Sequence, residues 1–163
     1  MTNRRTTPLP SQELLRSLFD YDLELGSLIP RPCNARIRFG FVPLNGGRFQ
    51  FTINGHRYYA HRLIWKWMTG EDPIEIDHID GDGTNNKWDN LRNATSAQNN
   101  HNRKMSSRNK SGVKGVFWET SRKRWRAAIG PQSWVARFKT FEEAVAAVNA
   151  KRAEMHGEFA RFR

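Results

Sequence analysis

The stretch Ile76-Asp77-His78-Ile79-Asp80-Gly81-Asp82-Gly83, followed by Asn90 and then Gln98-Asn99-Asn100, sets a carboxylate, an imidazole and several side-chain amides close together in the chain. Oxygen donors of this kind hold hard divalent cations, and an imidazole that titrates near neutrality takes a proton from water. Together they describe hydrolysis beside a metal ion. The formal net charge of +11 and an isoelectric point near 10.5 imply a partner with dense negative charge, and a phosphodiester backbone meets that description. Alone, an Asp-His pair is usually a modest ion pair, and Asn-Gly clusters are usually turns. Spacing raises the value of these residues: His78 to Asn90 is twelve residues and Asn90 to Asn99 is nine. A calcium-loop reading of Asp80-Gly81-Asp82-Gly83-Thr84 fails, because Asn85 stands where glycine is required and Leu91 where the bidentate glutamate belongs.

The elements that must position these groups can be read from periodicity and turn chemistry. Ser11 caps a short helix carrying Leu14, Leu15, Leu18 and Phe19. Residues 36–42, 48–53 and 56–60 read as strands joined at Asn45-Gly46-Gly47 and Asn54-Gly55. His61 to Met68 reads as a helix closed by Thr69-Gly70, with Ile64, Trp65 and Met68 on one side. The site segment reads strand, Gly-rich loop, short strand, helix. Strand alternation would turn Asp77 and His78 to opposite faces, so they must sit where a strand ends or bends.

At this point residues 57–103 resemble an HNH endonuclease of the ββα-metal, or His-Me finger, type in its phage and homing-endonuclease branch. The matching blocks are Arg57-Tyr58-Tyr59-Ala60-His61-Arg62-Leu63, Ile76 to Gly81, Trp88-Asp89-Asn90-Leu91-Arg92 and Gln98-Asn99-Asn100. The resemblance implies that Asp77 and Asn99 hold one divalent cation, Mg²⁺ first and Mn²⁺ as the alternative. It implies that His78 is the general base and that Asn90 hydrogen-bonds across the loop that orients it. Asn99 stands where the family also uses histidine, which implies weaker metal binding. His61 is left open between packing and a phosphate contact, and His56 and His156 carry no signal beyond polarity.

Charge is unevenly distributed. Residues 1–100 hold 12 Lys and Arg against 11 Asp and Glu, whereas residues 101–163 hold 15 against 5. After Ser106 to Gly112, a linker-like run with no bulky apolar residue, strands are predicted over 113–118, 124–129 and 134–138. A capping box at Thr140-Phe141-Glu142-Glu143 then opens a helix through about Met155. Lys114-Gly115-Val116, Trp125 to Ile129 and Trp134 to Ala144 resemble the Apetala/ethylene-response-factor DNA-binding domain. That resemblance implies a three-stranded sheet in the major groove, with Lys114, Arg124, Arg126 and Trp134 as contacts and Arg122 and Lys123 touching backbone. Phe117 and Ala128 depart from that family's Arg and Glu, so its base preference does not transfer.

The expected organisation is α+β: an accessory helix and meander over 1–56, a ββα-metal HNH core over 57–105, a linker over 106–112, and a three-stranded antiparallel sheet on one helix over 113–163. The expected function is a metal-dependent DNA endonuclease acting on duplex DNA, as monomer or homodimer. The rivals are a non-catalytic DNA-binding regulator that keeps the core as scaffold, and RNA as ligand. With 37% hydrophobic residues the core is limited, and six Trp and ten Phe carry much of the packing. The single cysteine, Cys33, excludes an intramolecular disulfide and zinc sites built on cysteine pairs. The absence of a signal-like apolar run points to the cytoplasm rather than secretion, and the absence of a spanning segment argues against a membrane partner.

Overall fold

The chain carries its apolar residues in short runs separated by Gly and Asn, and each run becomes a short helix or strand. The computed structural model describes residues 8–32, 36–42, 47–102, 105–106, 109–130 and 133–162. Cys33, the Asn45-Gly46 pair and the side chain of His101 lie outside the described residues. The fold is mixed α and β with antiparallel sheets, and it divides into two compact units, residues 1–96 and 97–163. Among the described residues no helix is long and apolar enough to cross a membrane.

In the first unit, Ser11 caps α1 (Gln12–Leu18) by accepting from the Leu14 amide at 3.2 Å, and the helix buries Leu15 and Leu18. Phe19 does not continue it. It opens a hairpin of β1 (Phe19–Asp22) and β2 (Ser27–Pro30) that the sequence did not announce. The turn is made by the Asp22 carboxylate, which accepts from the amides of Glu24 and Leu25 at 2.9 Å each. Leu23 and Leu25 stay exposed.

The meander forms as expected from β3 (Ile37–Val42), β4 (Arg48–Ile53) and β5 (His56–Tyr59), with Asn54-Gly55 at positive φ between the last two. Next comes α2 (Ala60–Thr69), which ends at Gly70 in the left-handed conformation. It buries Ala60, His61, Leu63 and Ile64, while Trp65 lies against Trp88. The core gathers Leu15, Phe19, Leu28, Phe51, Leu63, Ile64, Ile76 and Leu91, with Phe19 edge-on to Phe51 at 5.1 Å. This core fixes the antiparallel pair β6 (Glu75–His78) and β7 (Leu91–Ala94), which carries the candidate site.

Helix α3 (Ser96–His101) leads into the second unit. There β8 (Val116–Glu119), β9 (Arg124–Ile129) and β10 (Trp134–Phe138) form an antiparallel sheet in the order β10-β9-β8. The capping box at Thr140 and Glu143 starts α4 (Phe141–His156), whose Ala144 and Val148 pack on Val116, Ala127 and Ile129. Asn109 and Ser111, from the run read as a linker, bond to Val113 and Val116.

Gly115, at φ +81°, is required where the chain enters β8: a Cβ there would lie 2.5 Å from the Ala128 carbonyl oxygen. Gly115→Ala is therefore expected to destabilise the fold by about 1–3 kcal/mol, combining left-handed strain with a backbone clash. The check is the shift in urea midpoint.

Candidate active site

Strand β6 ends at His78, and its last two residues pair with Arg92 and Leu91 of β7. Both Asp77 and His78 are buried, at 3% and 4% exposure, so strand alternation does not send either into solvent. Arg92 donates from Nε and Nη2 to Asp77 Oδ2 at 2.8 and 2.7 Å, which fixes the carboxylate's orientation. The chain then reverses, with Gly81 at φ +72° donating its amide to the His78 carbonyl at 2.8 Å.

Asn90 closes this loop. Its Oδ1 accepts from the Asp80 amide at 3.0 Å, while its Nδ2 donates to Asp80 Oδ1 at 3.0 Å and to the Asn85 carbonyl at 2.8 Å. Asp80 also accepts from the Asp82 amide and from Asn85 Nδ2. Burial opposes its charge, but these hydrogen bonds prevail and hold the carboxyl below its ordinary range. The carboxylate of Asp82 is occupied by the Thr84 amide and hydroxyl. Both loop carboxylates thus accept hydrogen bonds from the turn itself.

Three residues join the site that sequence reasoning passed over or left open. Asn86, 3% exposed, faces His78, whose Nε2 lies 3.0 Å from its Oδ1. With an amide oxygen as acceptor, Nε2 carries the proton and Nδ1 is the basic nitrogen. The signal was an asparagine eight residues beyond His78, hidden in a run that reads as turn. His61 stands edge-on to His78 at 5.3 Å, with Tyr59 stacked on its other side at 5.5 Å. Arg48 opens β4 against the loop: a Cβ at Gly83 would meet the Gly47 carbonyl at 2.7 Å and Arg48 Cγ at 3.5 Å. Nothing local in the sequence marks Arg48.

Burial pushes His78 below its ordinary value and Arg48 acts in the same direction, while the bond to Asn86 and the charges of Asp80 and Asp77 oppose them. The imidazole is therefore neutral at pH 7 and able to accept a proton. His61 lies well below its ordinary value, first through burial and then through His78, Arg48 and Arg62, and its Nδ1 has no hydrogen-bond partner among the described residues. An unfolded imidazole binds its proton near pH 6.5, which the folded one refuses until lower pH. Stability is accordingly expected to be full above pH 6.5 and to fall below it, by up to about 1.4 kcal/mol per pH unit for this one group. His78 adds in the same sense. Urea titrations between pH 8 and 5 check this, and His61→Gln should flatten the slope.

Asn99 lies half-buried on α3, in the second unit. Of the basic residues, Lys114 precedes β8, and Arg122 and Lys123 occupy the turn between β8 and β9. Arg124 and Arg126 alternate with the core residues of β9 and so take the sheet face away from α4. Arg137 shares that face and is paired with Glu119. Trp134, opposite Ile129, is on the other face and packs on the core of this unit.

Residues 58–101 match the HNH endonuclease family. The chain is 38% identical over 107 residues to Protein 3.8 of Escherichia phage T7, an alignment covering 63% of this chain and 88% of that protein. It is 36% identical over 106 residues to an uncharacterized HNH endonuclease of Acanthamoeba polyphaga mimivirus, covering 61% of this chain and 54% of the viral protein, about half its length. No solved structure matches the chain. The matched segment runs from β5 through α3 and encloses Asp77, His78, Asn86 and Asn90 in their hydrogen-bonded loop, and the chain belongs to the HNH endonuclease family.

Proposed function

We propose that the protein is a metal-dependent DNA endonuclease of the ββα-metal type in which His78 is the general base. The observation that carries this reading is the placement of His78: buried, with Nε2 3.0 Å from Asn86 Oδ1, and next to Asp77 at the end of β6. There Nδ1 takes a proton from water as the water attacks phosphorus, the P–O3′ bond breaks and the departing 3′ oxygen takes a proton from solvent, leaving a 5′-phosphate and a 3′-hydroxyl. Arg48, the cation beside His78 and His61, binds a phosphate oxygen.

The donor chemistry fits a hard cation. Among the described residues no group of three or more His, Cys, Asp and Glu is arranged to hold a metal ion. An Asp77 carboxylate and an Asn99 amide oxygen suit Mg²⁺, or Mn²⁺ in its place. When bound, such a cation supplies charge neutralisation at the phosphate and the departing 3′ oxygen. The second unit, resembling the Apetala/ethylene-response-factor domain, binds the duplex through Lys114, Arg122, Lys123, Arg124 and Arg126, with Trp134 bracing β10 behind them.

The test incubates the protein with supercoiled plasmid. Cleavage in Mg²⁺ that stops in EDTA and returns on re-addition of the metal supports the enzyme. Binding without cleavage in Mg²⁺, Mn²⁺ or Ni²⁺ leaves the non-catalytic regulator instead.

A further inference from the structure

The second unit contains a cleft of about 680 Å³ whose lining combines Lys114, Arg126, Arg152 and His156 with the polar side chains of Asn100 and Ser133. No Asp or Glu is among the described residues that line it. His156, which looks like mere surface polarity in the sequence, is half-buried there.

Arg152 is 3% exposed, an unusual place for a guanidinium. It donates Nη2 to the Lys114 carbonyl at 2.6 Å and Nη1 to Asn149 Oδ1 at 3.3 Å, both neutral acceptors. Among the described residues it has no carboxylate within ion-pair distance. Burial correspondingly lowers its pKa. The fold makes room for this charge: a Cβ at residue 115 would come within 3.1 Å of Arg152 Nη2, and glycine stands there. Arg126 adds a second unmet demand, since its Nε is buried without an acceptor among the described residues. The nearby Glu119 is committed to Arg137 and Arg122.

A buried charge without a counter-charge is costly, and two guanidinium groups in one cleft favour an anion with several acceptor oxygens. We propose that this cleft is a phosphate site built on Arg152 and Arg126, and that its occupant is a backbone phosphodiester of bound DNA. The occupant rests on the DNA-binding reading above; the anion site itself does not. The cleft volume falls within the range of sites that hold small ligands, so a free mononucleotide or inorganic phosphate is the other source of the same chemistry.

The experiment uses the full chain in EDTA and follows the arginine Nε–Hε NMR signals of Arg126 and Arg152 during titration with a duplex, a 5′-mononucleotide and inorganic phosphate. In parallel, duplex affinity is measured against KCl for wild type, Arg126→Gln and Arg152→Lys, the last keeping charge but losing the fork. Expected results are saturable shifts of both signals with duplex, and a log-log salt slope shallower by about 0.9 in Arg126→Gln. Shifts with mononucleotide or phosphate but none with duplex would overturn the backbone assignment. Duplex binding with both signals unmoved by any of the three probes would overturn the site while sparing the DNA-binding reading. No duplex binding at all would overturn the DNA-binding reading and the backbone assignment, and the anion site would then stand or fall on the phosphate and mononucleotide shifts. The wild-type NMR titration needs no variant to fold.

Discussion

His78→Ala is expected to lower plasmid cleavage by about 10²–10⁴-fold, the usual worth of a positioned general base, while duplex affinity in EDTA stays within about twofold. The separation follows from where the side chain sits. His78 is 4% exposed and its ring is held by Asn86 and flanked by His61, so it has little surface to offer an extended duplex. The variant leaves Asn86 Oδ1 without its donor and opens a cavity, which together cost roughly 2–4 kcal/mol. The assay must therefore run where thermal melts show the variant folded. Cleavage that persists within tenfold of wild type would remove His78 from the chemistry. Loss of DNA binding in the folded variant would assign it a structural part instead. Asn86→Leu separates orientation from proton transfer: it leaves the imidazole present but its tautomer unfixed, and an intermediate rate is expected.

How far this site was legible in advance depends on whether the contacts are local. Asp77, His78 and Asn90 lie within one β-loop-β segment, where glycines and asparagines announce a tight reversal, and the structure indeed closes that segment on itself through Asn90. The meander and α2 were equally readable, because Asn54-Gly55 and Gly70 occupy the positive-φ positions that such residues relieve. The β1-β2 hairpin was not, since its turn carries Leu23 and Leu25, and hydrophobicity there mimics a continuing helix until Asp22 is seen bonding the turn amides. Arg48 and His61 reach His78 only after β4 and α2 pack together, so no spacing in the chain encodes their proximity. The same holds for Arg152, whose burial against the Lys114 carbonyl is a property of the folded second unit.

Asn90 offers the sharpest separation of a structural amide from a metal ligand. Asn90→Ala removes three side-chain hydrogen bonds and strands the Asp80 amide and the Asn85 carbonyl, so a loss of about 2–4 kcal/mol is expected. Asn90→Asp keeps the Oδ1 acceptor but replaces the donating NH2 by a carboxylate oxygen. That oxygen would face Asp80 Oδ1 at 3.0 Å and the Asn85 carbonyl at 2.8 Å, acceptor against acceptor. At pH 8, with both carboxylates ionised, the aspartate variant should be at least as unstable as the alanine variant. Protonation of one member of the pair restores a donor, so the gap should close as pH falls toward the carboxylate range. Were Asn90 instead an oxygen ligand of the cation, a carboxylate would serve at least as well. Asn90→Asp would then retain cleavage in Mg²⁺ and gain metal affinity. Urea midpoints at pH 8 and 5 beside a Mg²⁺ titration of cleavage distinguish the two, and an Asn90→Asp protein as stable as wild type at pH 8 would show that the amide's donors do not hold the loop.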